Sequence, residues 1–171
     1  MHGMSPAVLD NVVWHSLHTV HAPFAEHRGG AVRFPADVAI FGAVPDVPSP
    51  ADWDDLASLV GASGVATLFR ARVDEPPGWE RAMTVPALQM VATDVEGAYD
   101  DEVVALGPTD AGEMVDLAAR TKPGPFGPRT PELGGYVGVR DDDGRLVAMA
   151  GHRLRVPGFV EVSAVCTDES Q

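Results

Sequence analysis

Residues 134–167, GGYVGVRDDDGRLVAMAGHRLRVPGFVEVSAVCT, leave this chain few ways to fold. They read as three consecutive antiparallel strands joined by two tight turns. Residues 136–140 alternate well enough for a first strand. The cluster at 141–144 ends in Asp143-Gly144, and an Asp-Gly pair between apolar runs is a strong hairpin signal. Leu146–Val156 is the return strand. Pro157 and Gly158 make the next turn, since proline presets φ and glycine accepts a positive φ. Phe159–Thr167 is the third strand. Strict alternation puts Val160, Val162, Ala164 and Cys166 on one face and Glu161, Ser163, Val165 and Thr167 on the other. A meander of this kind forms the centre of a mixed α/β or α+β domain, a mainly antiparallel sheet flanked by helices.

The pattern before it supplies the helices. Residues 110–121 read as a helix whose inward stripe is Met114, Leu117 and Ala118, with Asp110 and Glu113 at capping-box spacing. Residues 103–106 read as a strand leading into it. Residues 122–131 hold four prolines and two glycines and read as a structured loop. Further upstream, Asp10 is placed to cap a helix over residues 11–21 with Val13, Leu17 and Val20 inward. Residues 26–30 read as a turn, residues 31–34 as a strand, and residues 38–41 as a second extended segment. Residues 44–50 carry three prolines and form a rigid connector. Ser49 or Asp52 then starts a helix through Val60, with Trp53, Leu56, Leu59 and Val60 inward and Gly61 closing it. Residues 65–69 and 87–92 read as strands, the second from the alternation of Leu88, Met90 and Ala92. Residues 96–102 are acidic and lack apolar periodicity, so the boundary between two halves, 1–97 and 98–171, falls there.

Charge narrows the partners. With 25 acidic against 12 basic residues the net charge is −13, which disfavours a nucleic-acid backbone and an anionic membrane surface. It suits a cationic substrate such as an amine, and equally well serves solubility alone. No apolar run is long enough for a membrane helix. The N-terminus lacks a basic region followed by an apolar stretch, so the cytoplasm is the expected location. Met1-His2-Gly3 reads as an extension before Met4. The single cysteine, Cys166, excludes an intrachain disulfide.

Several residues suggest chemistry. His15, His18 and His21 are spaced by three on a predicted helix, with His27 beyond, but successive steps drift by about 60° around the axis and align poorly on one ion. No metal site is expected. His152 reads either as an acid–base group or as a half-buried, hydrogen-bonded strand residue. Cys166 has acidic neighbours, Asp168 and Glu169, which disfavour a thiolate and leave it as a small buried hydrophobe. Gly134 to Gly138 is no nucleotide fingerprint, since it precedes a strand instead of joining strand to helix. Trp14, Trp53 and Trp79 are core anchors.

The strand–helix–loop–meander order resembles the GNAT superfamily of N-acetyltransferases. In that family the meander leads to a strand whose end touches acetyl-CoA, followed by an Arg/Gln-x-x-Gly-x-Gly/Ala loop and a helix that cradle the pyrophosphate. Here Val162-Ser163-Ala164-Val165-Cys166-Thr167 looks like that strand end, and Asp168-Glu169-Ser170-Gln171 stands where the loop would begin. Asp10-Asn11-x-x-Trp14-His15-x-Leu17 and Arg33-Phe34-Pro35 are similar to phrases in two-part bacterial members with an extra N-terminal domain.

The resemblance implies acetyl-CoA as co-substrate and direct transfer to a small-molecule or peptide amine. It assigns the backbone of Val165, Cys166 and Thr167 to the pantetheine arm and the thioester carbonyl. It assigns proton removal to Glu161, with Ser163 beside it on the same face. Glu161 as a solvated residue on an outer face is the plainer alternative. With the loop absent, the domain is expected to be incomplete at its C-terminus and weak or inactive alone, as a fragment, a shortened form, or a chain completed by another. The competing reading is a non-catalytic α/β protein whose open sheet edge pairs with a partner or a second copy, giving a homo-oligomer.

Overall fold

The computed structural model describes residues 6–61, 64–93, 95–98 and 100–169. The Met1-His2-Gly3 extension and the last two residues lie outside that set. Two antiparallel sheets organise the chain. The first is a small three-stranded sheet of β1 (Glu26–Arg28), β2 (Ala31–Arg33) and β3 (Gly42–Ala43), in that spatial order. The second has four strands in sequence order: β4 (Val103–Ala105), β5 (Val137–Arg140), β6 (Leu146–Val156) and β7 (Phe159–Thr167). The meander takes its expected shape, with Gly144 at φ 79° and Gly158 at φ 86° in its two turns, a region that residues with a Cβ rarely adopt.

Helix α1 (Val12–Leu17) is shorter than the apolar spacing predicts. Asp10 does not cap it. Asn11 sits at the N-cap and its side chain leaves the helix, its amide donating to the Val44 carbonyl at 2.9 Å and to Asp46 at 2.9 Å. The helix stops at Leu17 because the His21 backbone turns back to the Ser16 carbonyl at 2.8 Å, which sends Val20 to solvent. Helix α2 (Pro50–Val60) begins as Ser49 and Asp52 foretell, with a reciprocal capping box between them. Helix α3 (Ala111–Thr121) buries the expected stripe of Met114, Leu117 and Ala118. Asp110 makes no side-chain cap on the helix. Its carboxylate accepts from the Gly107 amide and from Arg140 instead.

Other expectations are corrected. The predicted turn at residues 26–30 holds a strand, β1, before the reversal. Residues 38–41 are not a strand: Val38 and Ala39 fold back on the Pro35 carbonyl, and pairing shifts to β3. Residues 65–69 reduce to one parallel bridge, Phe41 to Thr67. Residues 87–92 form no strand, and Leu88 and Met90 are exposed. Their alternation meets no neighbouring strand to bond with, and an unpaired extended segment gains nothing from period-2 patterning.

Three apolar clusters hold these parts. α3 packs with Tyr136, Leu146, Met149 and Ala164 on one face of the four-stranded sheet. α2 packs Trp53 and Leu56 against Ala31 and Val44. The third cluster joins Val13 and Leu17 of α1 and Val32 of β2 to Leu133, and to Leu154 and Val156 at the far end of β6. The long strand β6 thus runs from the core under α3 into a core shared with the small sheet.

Candidate active site

The site grows from a break in β7. Opposite β6, Cys166 pairs with Met149 and Ser163 with Gly151, so β7 spends one residue more than its partner across this step. The extra residue is accommodated at Ala164, which takes a left-handed φ of 53°. Strict alternation therefore fails here. Val160 and Val162 point to solvent, while Ser163, Ala164 and Cys166 all turn to the side of Tyr136 and α3. Cys166 does not share a face with Val160 and Val162, as alternation had placed it. It is a half-buried free thiol packed on the α3 cluster.

β7 is also the sheet edge among the described residues. Asp168 donates its amide to the Val147 carbonyl at 2.7 Å, so alternation of the ladder turns the Thr167 backbone toward the open side. The Asp168 carboxylate accepts from Arg120 at 3.0 Å and Arg145 at 2.9 Å.

Beside Ser163 and Ala164 lies a small crevice of about 10 Å³, walled by Pro123, Pro125, Phe126, Thr130, Tyr136 and Arg153. Its proline-rich wall is docked on the N-terminal part of the chain. The Thr130 hydroxyl donates to the Val38 carbonyl at 2.6 Å and accepts from the Gly127 amide at 2.8 Å. The Arg129 amide donates to the Asp37 carbonyl at 3.0 Å. A Cβ on Gly127 would stand 2.4 Å from that same carbonyl oxygen, so only glycine fits there.

Glu161 lies further along the inner side. Arg153 donates to it through Nε at 3.1 Å and Nη2 at 2.5 Å, and the Leu154 amide donates at 3.2 Å. The guanidinium carbon of Arg153 sits 5.1 Å from the Phe41 ring centroid, a cation–π contact. A second bulge in β6, between His152 and Arg155, brings Arg153 and Glu161 together. Burial of Tyr136 pushes its phenol up to about 12, with Glu161 pushing the same way and Arg153 opposing. The phenol is neutral at any ordinary pH.

No family model and no curated protein matches the chain. Among solved structures, the crystal structure of a Novosphingobium aromaticivorans protein assigned to the GNAT family is 35% identical. It covers 95% of this chain and 72% of its own, with a TM-score of 0.73. The chain belongs to the GNAT family.

For a GNAT chain the anticipated residues fall in two groups. Ser163 lies at the crevice, and Val165, Cys166 and Thr167 follow the bulge along the open edge. Glu161 stands in the Arg153 ion pair. The residues missed by sequence reasoning are Arg153, Tyr136, Thr130 and Phe41. A signal for the first exists: Arg153 and Glu161 lie nearly symmetrically about the Pro157-Gly158 turn, where a hairpin brings opposite charges together.

His18 and His27 meet edge to face at 5.3 Å between ring centroids, and the other histidines face different partners. His21 is buried with its Nδ1 3.1 Å from the Ser16 hydroxyl, His18 stacks on Trp14 at 4.0 Å, and His15 faces Asp46 at 3.8 Å. Among the described residues no group of three or more His, Cys, Asp or Glu side chains is placed to hold a metal ion, and no helix is long and apolar enough to cross a membrane. A larger groove of about 760 Å³ runs between Asn11, Trp53 and residues 70–77, away from the β7 break.

Proposed function

We propose that this GNAT-family chain is an N-acetyltransferase lineage member that transfers acetyl from acetyl-CoA directly to a primary amine. The observation that carries the reading is the bulged open edge of β7, with Ala164 at φ 53°. Backbone groups freed from a ladder are donors and acceptors without a strand partner, and a pantetheine arm can use them as an added strand would. The edge at Val165, Cys166 and Thr167 therefore suits the thioester end. Acetyl-CoA, when bound, supplies the activated acyl carbon. The phosphate end has no comparable cradle on β7, where Asp168 already takes Arg120 and Arg145.

In this reading the chain's own groups act as follows. Backbone N–H groups of the strand end stabilise the negative charge that develops on the thioester oxygen. Ser163 orients the amine or its water at the crevice. Glu161 takes the proton, through water, because three of its roughly four acceptor positions are filled by Arg153 and Leu154.

The test is thermal unfolding of the purified chain with and without millimolar acetyl-CoA, followed by an assay for thiol released in the presence of primary amines. A ligand at ten times its Kd stabilises by about 1.4 kcal/mol, which moves the midpoint of a domain this size by about 3–6 °C. An unchanged midpoint and no thiol release contradict the proposal. One observation favours a second reading: Val160, Val162 and Val165 are exposed along the unpaired edge. If the edge instead pairs with a second copy, the molecular mass by light scattering doubles with concentration while acetyl-CoA has no effect.

A further inference from the structure

We propose that Arg153 is the carboxylate-binding residue of the acceptor site, so that the amine accepted by this chain is a zwitterion of the amino-acid type. The inference rests on the acetyltransferase reading above and adds a substrate class to it.

Recognition by arginine begins with the shape of the guanidinium. It has five N–H donors arranged as two forks: a side fork of Nε and Nη2, and an end fork of Nη1 and Nη2. Glu161 occupies the side fork of Arg153. The guanidinium carbon sits over the Phe41 ring, 5.1 Å from its centroid. The Glu161 pair fixes direction and does not fill the end fork. Among the described residues no acceptor bonds to Nη1. The side chain is 18% exposed, so the free fork is held rigidly at a partly desolvated surface and not waved in bulk water. An end fork held in this way matches a carboxylate bidentately, the geometry in which arginine is most selective.

Position gives this fork a role. Arg153 walls the same crevice as Ser163 and Ala164, the residues at the break in β7. A carboxylate on Arg153 directs the amine of a short zwitterion toward that break. The crevice holds about 10 Å³, one water-sized group, and its remaining wall is the loop carrying Pro123, Pro125 and Phe126. A crevice of this size admits only the polar end of the acceptor, and the acceptor's side chain lies outside it. The chain's net charge of −13 repels a simple anion. A zwitterion carries no net charge, and its ammonium is attracted. The Glu161 charge balances Arg153 when the site is empty and keeps the arginine from collapsing onto another acceptor.

The probe pair is L-phenylalanine and 2-phenylethylamine, which share the amine and the ring and differ in the carboxylate. Binding to the full chain is measured by ligand-observed NMR without acetyl-CoA, so failure of this inference is separable from failure of the acetyl-CoA site. Phenylalanine is expected to bind about tenfold tighter or better, the size of a charge-assisted pair. Arg153→Lys keeps the charge beside Glu161 and loses the fork, and its preference is expected to fall to about twofold or less. Equal binding of the two probes by the wild type overturns the proposal, as does a preference that survives in Arg153→Lys. Should that variant fail to unfold cooperatively, the Nε–H resonance of Arg153 in the wild type decides. It moves on titration with phenylalanine and not with phenylethylamine, or the proposal is wrong.

Discussion

His21 makes the stability of this protein depend on mild acid. The residue is 3% exposed, its ring set edge-on to Phe24 and Phe34, and among the described residues the ring's one hydrogen bond joins Nδ1 and the Ser16 hydroxyl. Nε2 is buried with no hydrogen-bond partner among the described groups. Protonation would bury a charge with the Nε2–H left without an acceptor. Burial first, and the positive charge of Arg155 second, lower the imidazole from 6.5 to about 4. The unfolded chain takes its proton near 6.5 and the folded chain only near 4, so the unfolded state binds more protons in that window. Stability therefore falls as pH falls from about 7 toward 4, and this group costs nothing further below that. The two values give a loss of about 2 kcal/mol between pH 7 and pH 5. For a domain of this size that is about 4–8 °C in the unfolding midpoint. The assay is urea and thermal unfolding of the wild type and His21→Asn at half-unit pH steps from 7 to 4. Asparagine keeps a hydrogen-bonding group near Ser16 and cannot take the proton. The variant is expected to start less stable at pH 7 and to lose about 2 kcal/mol less on acidification. Parallel pH profiles for the two proteins would refute the reasoning.

Three further outcomes follow from particular contacts. Ser49→Ala removes one half of the capping box on α2 and is expected to lower stability by about 1 kcal/mol in urea unfolding, and Ser49→Asp does not restore it, because the new carboxylate stands beside that of Asp52. Gly151→Ala would set a Cβ 2.2 Å from the Tyr136 ring, so overpacking by about 1–3 kcal/mol is expected, and Tyr136→Leu in the same chain should recover part of it. Thr130→Val deletes the hydroxyl that ties the crevice loop to Val38 and caps the Gly127 amide. It is expected to raise hydrogen exchange across residues 123–130 more than across α3, whereas equal exchange in both would show that this tie does not hold the loop.

The meander and its turns were legible because their signals are local. Asp143-Gly144 and Pro157-Gly158 fix two reversals, and between them the strand bounds of β6 and β7 follow residue by residue. Helix α2 was legible for the same reason, since Ser49 and Asp52 are neighbours on the chain. The bulge at Ala164 was not. An alanine carries no sign of a left-handed φ, and a single extra residue changes which face Cys166 occupies without altering composition. Asn11 also misled. It reads as the start of a helix, yet its amide bonds residues 33 and 35 positions away. The alternation at Leu88 and Met90 suggested a strand because period-2 patterning describes a face and says nothing about whether a neighbour exists to pair with it. The loop at residues 122–131 was legible as a loop, but its attachment to Val38 and Asp37 depends on contacts across about half the chain, which no local pattern encodes.

If the bulged open edge of β7 receives the thioester end of acetyl-CoA, the ligand covers the amides of that edge. Hydrogen–deuterium exchange of the amides from Ser163 to Thr167, with and without acetyl-CoA, tests it most directly. The account predicts slowed exchange in this segment, foremost at the outward-facing Thr167 amide, while the distant β1–β2 hairpin is unchanged. Identical exchange in the two samples at saturating acetyl-CoA, or protection confined to residues away from β7, would contradict it.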